Sequence, residues 1–374
     1  MKILIVGDWH SELHEEVMLQ ALNQLGHKVE AFKWYQYFTP TNGLCKSALN
    51  LLKKIQKKYI FGAIVKNIQN ELLKQVLTMD PDIIFFYRGT HILARTIENI
   101  KKQNPNAILV GYNNDDPFAP KQPKYLWRHF VRSLPLYDLA LAYRHENLND
   151  YRKYGAKRVE LFRSWYVESR NFPQNLKTEE VDKFLCDVVF VGHYEDDNRV
   201  EFLEELVAQG VNLKLFGPGY DWDPILRKSK YLRHLIPVKL VWGSDYNSAL
   251  CGAKIALCFL SKLNRDTYTR RCFEIPASGT LLLSEFSGDL ANLFCEGKEA
   301  EFFRTKEELV RKVHFYLNDH NKLDEVSNAG LQRVRADRHD VLSRMQDLVS
   351  WVSEIKLTHS NKLKTDFYAK KGNL

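Results

Sequence analysis

The segment that decides the fold is Asp266-Thr-Tyr-Thr-Arg-Arg-Cys-Phe-Glu274-Ile-Pro-Ala-Ser-Gly279-Thr-Leu-Leu-Leu-Ser284. Residues 267–275 predict a short helix that Pro276 stops or follows, and the apolar run after Gly279 predicts a buried strand. The first backbone N–H groups of a helix have no partner within the helix, and together with the helix dipole they can hold a phosphate. The segment therefore predicts a phosphate-binding site at the start of this helix.

The charged side chains of this segment extend the prediction. Arg270 and Arg271 would add charge-assisted hydrogen bonds to a phosphate. Glu274 lies about one helical turn deeper, where its carboxylate could accept hydrogen bonds from ribose hydroxyls. Asp266 stands eight residues before Glu274. This combination predicts a site for a sugar linked to a nucleoside diphosphate.

The pattern Thr269-x-Arg271-x-Phe273-Glu274-x-x-Ala277-x-Gly279-Thr280 resembles the signature of the CgeB-like glycosyltransferases. The resemblance covers residues 185–350 well and the first half of the chain only loosely. Related retaining enzymes carry a Glu-x7-Glu pair, and Asp266 stands at its first position here. Other segments similar to the family are Phe190-Val191-Gly192-His193, Leu215-Phe216-Gly217-Pro218, Val241-Trp242-Gly243 with Tyr246, Lys254-Ile-Ala-Leu257 and Leu290-x-x-Leu293-Phe294-x-x-Gly297-Lys298-Glu299.

The resemblance implies a GT-B fold, in which two doubly wound, Rossmann-like α/β domains face a central cleft. It implies a cytoplasmic, metal-independent enzyme with no cofactor, which transfers sugar from a nucleotide sugar to a glycan or lipid-linked acceptor in bacterial surface polysaccharide or glycoconjugate synthesis. Asp266 and Glu274 are its expected catalytic residues. The expected donor-binding residues are Gly192, His193, Arg199, Gly217, Trp242, Gly243, Lys262, Thr269, Arg271, Glu274 and Gly279.

The order of elements predicts two domains. Strands alternate with amphipathic helices throughout, which is typical of parallel α/β structure. We expect an N-terminal acceptor-side domain at 1–170, a polar linker at 171–184 and a donor domain at 185–355. Residues 356–374 form a basic tail that is either disordered or packs back on the first domain.

Polar residues follow the predicted strands of the first half, at the edge where ligands bind in such sheets. We expect His10, Asp115 and Asp116 to act on the acceptor as acid, base or hydroxyl ligand. The alternative for Asp115-Asp116-Pro117 is a structural turn. His10 and His14 are spaced as in a zinc helix, but the zinc-protease motif and a third ligand are missing, so no metal site is expected.

Charge is uneven along the chain, whose net charge is +8. Residues 1–170 hold 25 Lys and Arg against 16 Asp and Glu, which gives +9, and the rest sums to −1. An acidic partner could be phospholipid, a lipid-linked phosphate or nucleic acid, but no nucleic-acid motif supports the last. Residues 44–78 form a basic amphipathic pattern, suited either to peripheral contact with the anionic inner membrane face or to an ordinary surface helix.

Two further observations limit the class of protein. The six cysteines form no CxxC pair and are expected to be reduced core residues of a cytoplasmic protein; they are Cys45, Cys186, Cys251, Cys258, Cys272 and Cys295. Gly217-Pro-Gly219 lacks the third glycine of a dinucleotide fingerprint, which disfavours a nicotinamide dehydrogenase. The alternative to an enzyme is a non-catalytic nucleotide- or glycan-binding protein with the same fold.

Overall fold

The computed structural model describes residues 1–40 and 46–371. The chain forms two compact units. The first contains Met1–Arg163 and the C-terminal helix from Val341 onward, and the second contains Ser164–Asp340. Each unit has one fully parallel sheet covered by helices, so the prediction of α/β architecture is confirmed.

The first unit has a six-stranded sheet in the order β2-β1-β3-β4-β5-β6. Its strands are β1 (Lys2–Gly7), β2 (Lys28–Lys33), β3 (Ile83–Tyr87), β4 (Ile108–Asn113), β5 (Leu139–Ala142) and β6 (Val159–Leu161). The helices between them are α1 (Glu15–Gln24), α2 (Lys46–Tyr59), α3 (Ala63–Met79), α4 (Ala94–Gln103), α5 (Lys124–Ser133) and α6 (His145–Lys153).

The central strands of this sheet are buried on both faces. Residues 3–6 of β1 and all of β3 are apolar and inaccessible to solvent. Parallel strands covered by helices on both sides read as continuous apolar runs for this reason. The in-register pairing of Ile3 with Ile83 and of Ile83 with Ile108 aligns the ends of three neighbouring strands.

The second unit has a five-stranded sheet in the order β11-β10-β9-β7-β8. Its strands are β7 (Cys186–Val191), β8 (Leu213–Phe216), β9 (Ala253–Cys258), β10 (Leu281–Glu285) and β11 (Glu301–Phe303). Its helices are α7 (Thr178–Phe184), α8 (Arg199–Ala208), α9 (Gly219–Leu226), α10 (Gly243–Cys251), α11 (Arg271–Ala277), α12 (Gly288–Leu293), α13 (Lys306–Asn318) and α14 (His320–Ala336).

The last helix, α15 (Val341–Lys371), belongs to the first unit and packs on α1. The helix continues past residue 356, where the sequence suggested the start of a tail. Residues 171–184, expected as a linker, lie in the second unit and contain α7. The glutamate of α7 at position 180 accepts the Ser248 hydroxyl at 3.0 Å, which attaches this stretch to α10.

Two predicted helices differ from the observed ones. α11 begins at Arg271 rather than at 267, and Pro276 lies inside its last turn instead of stopping it. The segment 44–78 forms two helices, because Ile60 and Gly62 have positive φ angles of 55° and 94° and interrupt the helical path. Residues 44 and 45 lie outside the described part of the chain.

Within the described ranges, no helix is both long and apolar enough to cross a bilayer. The prediction that the cysteines are core residues holds for Cys186, Cys258 and Cys272, which are buried. It fails for Cys295, which is exposed. Cys45 is not among the described residues.

Each sheet has a switch point, where successive strands are added on opposite sides of the first. In the first unit β2 lies on one side of β1 and β3 on the other, and in the second unit β8 and β9 flank β7 in the same way. Ligands of open parallel sheets bind outside the carboxyl ends of the strands at such points. Each unit therefore has one position where a site is expected.

Candidate functional site

The switch point of the second unit holds a cluster around Glu274, which lies in the first turn of α11. Its side chain is only 1% exposed. Glu274 Oε1 lies 2.7 Å from Nε of Arg270, and Oε2 accepts the hydroxyl of Tyr246 at 2.7 Å. The carboxylate thus ties α10 to α11 from a buried position, whereas the sequence suggested direct access to a ribose.

Arg271 extends from the start of α11 toward the end of β7. Its Nη1 would lie 3.3 Å from a Cβ placed on Gly192, so the guanidinium runs beside the glycine backbone. Burial lowers the pKa of Arg271, but the nearby Cys258, Tyr246 and Glu274 outweigh it and raise the pKa above its usual value. Its buried Nε has no hydrogen-bond partner among the described residues. A partly buried cation with an unused donor favours an anionic ligand.

Cys258, at the end of β9, lies next to this arginine. Its Sγ is 3.7 Å from Sγ of Cys272 and 3.5 Å from Oγ1 of Thr269. The hydrogen bond with Cys272 lowers the pKa of Cys258 most, burial opposes it, and the Arg271 charge lowers it further, to about 6. Sequence reasoning assigned Cys258 to the core and missed this electrostatic contact.

Two predicted glycines bring the strand-end loops together. A Cβ on Gly217 would lie 2.2 Å from the carbonyl oxygen of Gly192, and one on Gly192 would lie 2.8 Å from the ring of Phe190. The indole N–H of Trp222 donates to the same Gly192 oxygen at 2.8 Å. The β8 loop can therefore approach the β7 loop this closely only with glycine at position 217, while glycine at position 192 leaves room for the Phe190 ring.

Two other residues predicted to bind the nucleotide sugar, Arg199 and His193, have their contacts with neighbouring protein groups. Arg199 is buried, and its guanidinium donates to both carboxylate oxygens of Asp197 at 2.7 Å and to the His193 carbonyl at 2.6 Å. Arg199 therefore stabilises the loop before α8, and each of its guanidinium nitrogens already donates a hydrogen bond within the protein. The His193 ring is exposed, with Nδ1 3.3 Å from Asp221.

Further predicted residues of the second unit lie in the loop after β9 and at the start of α10. Lys262 is exposed and pairs with Glu285 at the end of β10. Asp266 lies in the loop after β9, where its backbone N–H donates to Ser261 at 2.9 Å. Trp242 is exposed, and Gly243 begins α10 with a φ of 55°.

Gly279 lies at the opposite ends of the strands from this cluster. It follows α11 and precedes β10, which places it at the amino ends of the strands. Its φ is 75°, and a Cβ would lie 3.1 Å from Pro173. The structure thus gives Gly279 a role in the turn and does not bring it to Arg271.

The switch point of the first unit holds a second cluster, formed by Asp8, His10, Arg88 and Asp115. Asp8 Oδ1 accepts Nδ1 of His10 at 2.9 Å, and Oδ2 lies 3.4 Å from Nη1 of Arg88. Arg88 Nη2 lies 2.6 Å from Asp115 Oδ2. The ends of β1, β3 and β4 supply these side chains. Sequence reasoning gave roles to His10 and Asp115; it placed Asp8 and Arg88 at strand ends too, but assigned them no role.

Electrostatics within this second cluster make His10 a stronger base than an isolated imidazole. The hydrogen bond with Asp8 raises the pKa of His10 above its usual value. Burial raises the pKa of Asp8, but the His10 hydrogen bond and the Arg88 charge lower it to about 2. An ionised Asp8 accepts a hydrogen from Nδ1, which leaves Nε2 of the half-exposed imidazole to exchange a proton with a ligand.

Asp116 and His14 have structural surroundings. Asp116 is fully buried, and its Oδ1 accepts the Phe118 N–H at 3.0 Å and the Asn147 amide at 2.9 Å. This matches the turn alternative for Asp116, while Asp115 faces Arg88. The His14 ring stacks on Tyr87 with centroids 5.4 Å apart. In the part of the chain that the structure describes, no group of His, Cys, Asp and Glu has the arrangement of a metal site.

Comparison with known proteins places the fold. Residues 199–350 match the family model described as "Glycosyl transferase-like". Among curated proteins, no sequence matches this chain significantly. Structural similarity is far wider than sequence similarity, and it extends over nearly the whole chain.

Three solved structures illustrate this similarity. Sucrose-phosphate synthase from Thermosynechococcus elongatus has a TM-score of 0.66 at 12% identity, covering 99% of this chain and 100% of that one. Anabaena HepE in complex with UDP-glucose has a TM-score of 0.64 at 12% identity, covering 95% and 100%. A glycosyltransferase from Rickettsia africae has a TM-score of 0.65 at 13% identity, covering 95% and 98%. These likenesses confirm the predicted GT-B fold.

Proposed function

We propose that this protein is a glycosyltransferase that moves a sugar, of the hexosyl class, from a nucleotide-sugar donor to a glycan or lipid-linked acceptor. The observation that carries the proposal is Arg271 at the switch point of the second unit, a charged and partly exposed residue whose buried Nε has no hydrogen-bond partner among the described residues. The glycosyltransferase-like match over residues 199–350 supports it, because this region contains Arg271 and Glu274.

In this proposal the second unit binds the donor. Arg271 neutralises the diphosphate, whose negative charge increases as the sugar leaves, so the transfer proceeds without an obligatory metal. Glu274, which is buried, holds Arg270 and Tyr246 in place beside the donor. Anabaena HepE is similar in fold and was solved with UDP-glucose, so uridine nucleotides are the first donors to test.

The first unit supplies the acid–base group. Transfer breaks the bond between the anomeric carbon and a diphosphate oxygen and forms a bond to an acceptor hydroxyl oxygen, which loses its proton. We assign acceptance of this proton to Nε2 of His10, oriented by Asp8 through Nδ1 at 2.9 Å. Arg88 and Asp115 form the charged border of the same cluster.

We further propose a CgeB-like enzyme of bacterial surface polysaccharide or glycoconjugate synthesis that docks on the anionic inner membrane face. The supporting feature is a surface on and after α2, here called the α2 surface, where large apolar side chains are 48–58% exposed. Two exposed lysines border it, and this charge complements anionic lipid. The α2 surface consists of Leu49, Leu51, Leu52, Tyr59 and Phe61 with Lys54 and Lys58.

Turnover separates an enzyme from a binding protein with the same fold. A panel of nucleotide sugars is screened by thermal shift, and the best ligand is then incubated with candidate acceptors while released nucleoside diphosphate is measured. A glycosyltransferase releases diphosphate in an acceptor-dependent manner, and Arg271→Ala abolishes the release. Tight binding without release with any acceptor would instead support the non-catalytic alternative.

A further inference from the structure

Glu15, the first residue of α1, carries a carboxyl group that the proposed reaction does not use. Its side chain is fully buried. Oε1 accepts the backbone N–H of Trp9 at 3.1 Å, while the equally buried Oε2 accepts no hydrogen bond from any donor among the described residues. A buried carboxylate oxygen without a donor is unfavourable, but the same oxygen carrying a proton becomes a donor itself. The geometry therefore favours the neutral acid.

The end of β1 is shaped to admit this side chain. A Cβ on Gly7 would lie 2.2 Å from Oε1 of Glu15 and 2.9 Å from its Cγ and Cδ. Gly7 is not among the residues with positive φ, so its backbone conformation is open to other residues and only space demands glycine. The carboxyl group of Glu15 is thus inserted against the strand end that continues into Asp8.

We propose that Glu15 is a positioning residue: in its neutral form it donates its Oε2 hydrogen to the Asp8 carboxylate and so keeps Asp8 oriented on His10, and in its ionised form it adds a negative charge beside the pair. This inference rests on the proposed function, in which His10 accepts the acceptor's proton. Asp8 already accepts His10 Nδ1 and lies 3.4 Å from Arg88. A third donor from Glu15 restrains the carboxylate from the buried side.

The electrostatics agree with this arrangement. Burial, and then the negative charge of Asp8, raise the pKa of Glu15 to about 7. Two charges on neighbouring elements are engaged elsewhere: Lys33 lies 4.5 Å from the centroid of the Trp9 ring, and Arg344 of α15 pairs with Asp347 at 3.4 Å. When Glu15 releases its proton, the second negative charge favours the imidazolium form of His10. A proton can therefore pass from Glu15 to His10 with no change in the net charge of the cluster.

The test follows the titration of His10 by NMR in the protein without substrate, with its resonance assigned through His10→Gln. In Glu15→Gln the amide still donates to Asp8 but cannot ionise. We expect the His10 titration midpoint to fall relative to wild type, while the Nδ1–H tautomer is retained. Glu16→Gln is the matched control, because Glu16 is the next residue on α1 and is exposed.

Activity supplies a second readout. Glu15→Gln should keep turnover within about twofold of wild type at neutral pH, while Glu15→Ala should lose at least tenfold in kcat with nucleotide affinity unchanged. An unchanged His10 midpoint in Glu15→Gln, or an equal shift in Glu16→Gln, overturns the proposal. Because the titration needs no substrate, it gives its answer even if the protein proves not to be a glycosyltransferase.

Discussion

The hydroxyl of Tyr246 donates to Oε2 of Glu274 across 2.7 Å, which joins α10 to α11 inside the second unit. The burial of Tyr246 and the charge of Glu274 raise the pKa of this phenol well above its usual value, so it remains a donor. Glu274 therefore acts directly on its surroundings. Substitutions at this site need a stability measurement beside each binding measurement.

Replacing Arg271 should weaken nucleotide binding. Loss of a hydrogen bond to a charged group costs about 1.5–3 kcal/mol, so Arg271→Ala should reduce the affinity for the nucleoside diphosphate roughly ten- to a hundredfold. Calorimetry on folded protein measures this change. Arg227→Ala, at an exposed arginine of the same unit, should leave the affinity unchanged. Equal affinities in both variants would place the diphosphate elsewhere.

Glu274→Gln should reduce both stability and nucleotide affinity. The substitution removes the charge that pairs with Arg270 at 2.7 Å, and breaking a buried ion pair costs about 3–5 kcal/mol. Chemical denaturation gives the stability change, and calorimetry at a temperature where the variant is folded gives the affinity. Unchanged nucleotide affinity in the folded variant would remove Glu274 from the donor site.

The two neighbouring aspartates should behave differently. Asp115→Asn removes the carboxylate 2.6 Å from Arg88, so turnover should fall while donor affinity persists. Asp116→Ala should instead lower the free energy of unfolding by about 1–3 kcal/mol, because the buried Phe118 N–H and Asn147 amide lose their acceptor. Steady-state kinetics and denaturation distinguish the two. Full activity in Asp115→Asn would return the loop to a purely structural role.

The α2 surface should bind anionic vesicles. Lys53 donates to the Thr39 carbonyl at 2.6 Å and Lys57 lies over the Tyr35 ring, so Lys54 and Lys58 are the lysines to change. The double change to Gln should weaken the free energy of binding to anionic vesicles by about 1 kcal/mol per residue, measured by sedimentation.

The control for this experiment is a pair of exposed lysines elsewhere in the first unit. Lys153→Gln with Lys157→Gln removes the same charge near α6 and should leave vesicle binding almost unchanged. If wild-type protein does not sediment with anionic vesicles at low salt, the α2 surface has another partner.

The pH dependence of stability should show the buried acid Glu15. Its pKa rises from 4.5 to about 7 in the folded protein, so between these values the folded state holds more protons than the unfolded state. Wild-type stability should therefore fall as pH rises through this window, by at most about 1.4 kcal/mol per pH unit. Glu15→Gln should remove this slope in denaturation curves between pH 4.5 and 7. An identical slope in both proteins would contradict the raised pKa.

Local patterns in the sequence determined the α/β class and the approximate positions of most strands, and they singled out Arg271, Glu274 and Gly192 as candidate site residues. Each of these depends on residues close together in the chain: apolar runs of strand length, a charged helix start, and a glycine at a strand end. The boundaries of α11 were harder to predict from the sequence, because Pro276 is tolerated within its last turn. Helix propensity alone could not decide whether Pro276 ends the helix or is accommodated within its last turn.

Only the tertiary structure decided which side chains meet. Asp8, Arg88 and Asp115 come from strands far apart in sequence, and they converge because β1, β3 and β4 are neighbours in the sheet order. Gly279 and Arg199 matched the sequence pattern, yet Gly279 lies at the opposite strand edge and Arg199 has its donors engaged by Asp197. Strand order and side-chain direction arise from packing of the whole chain, so no local pattern encodes them.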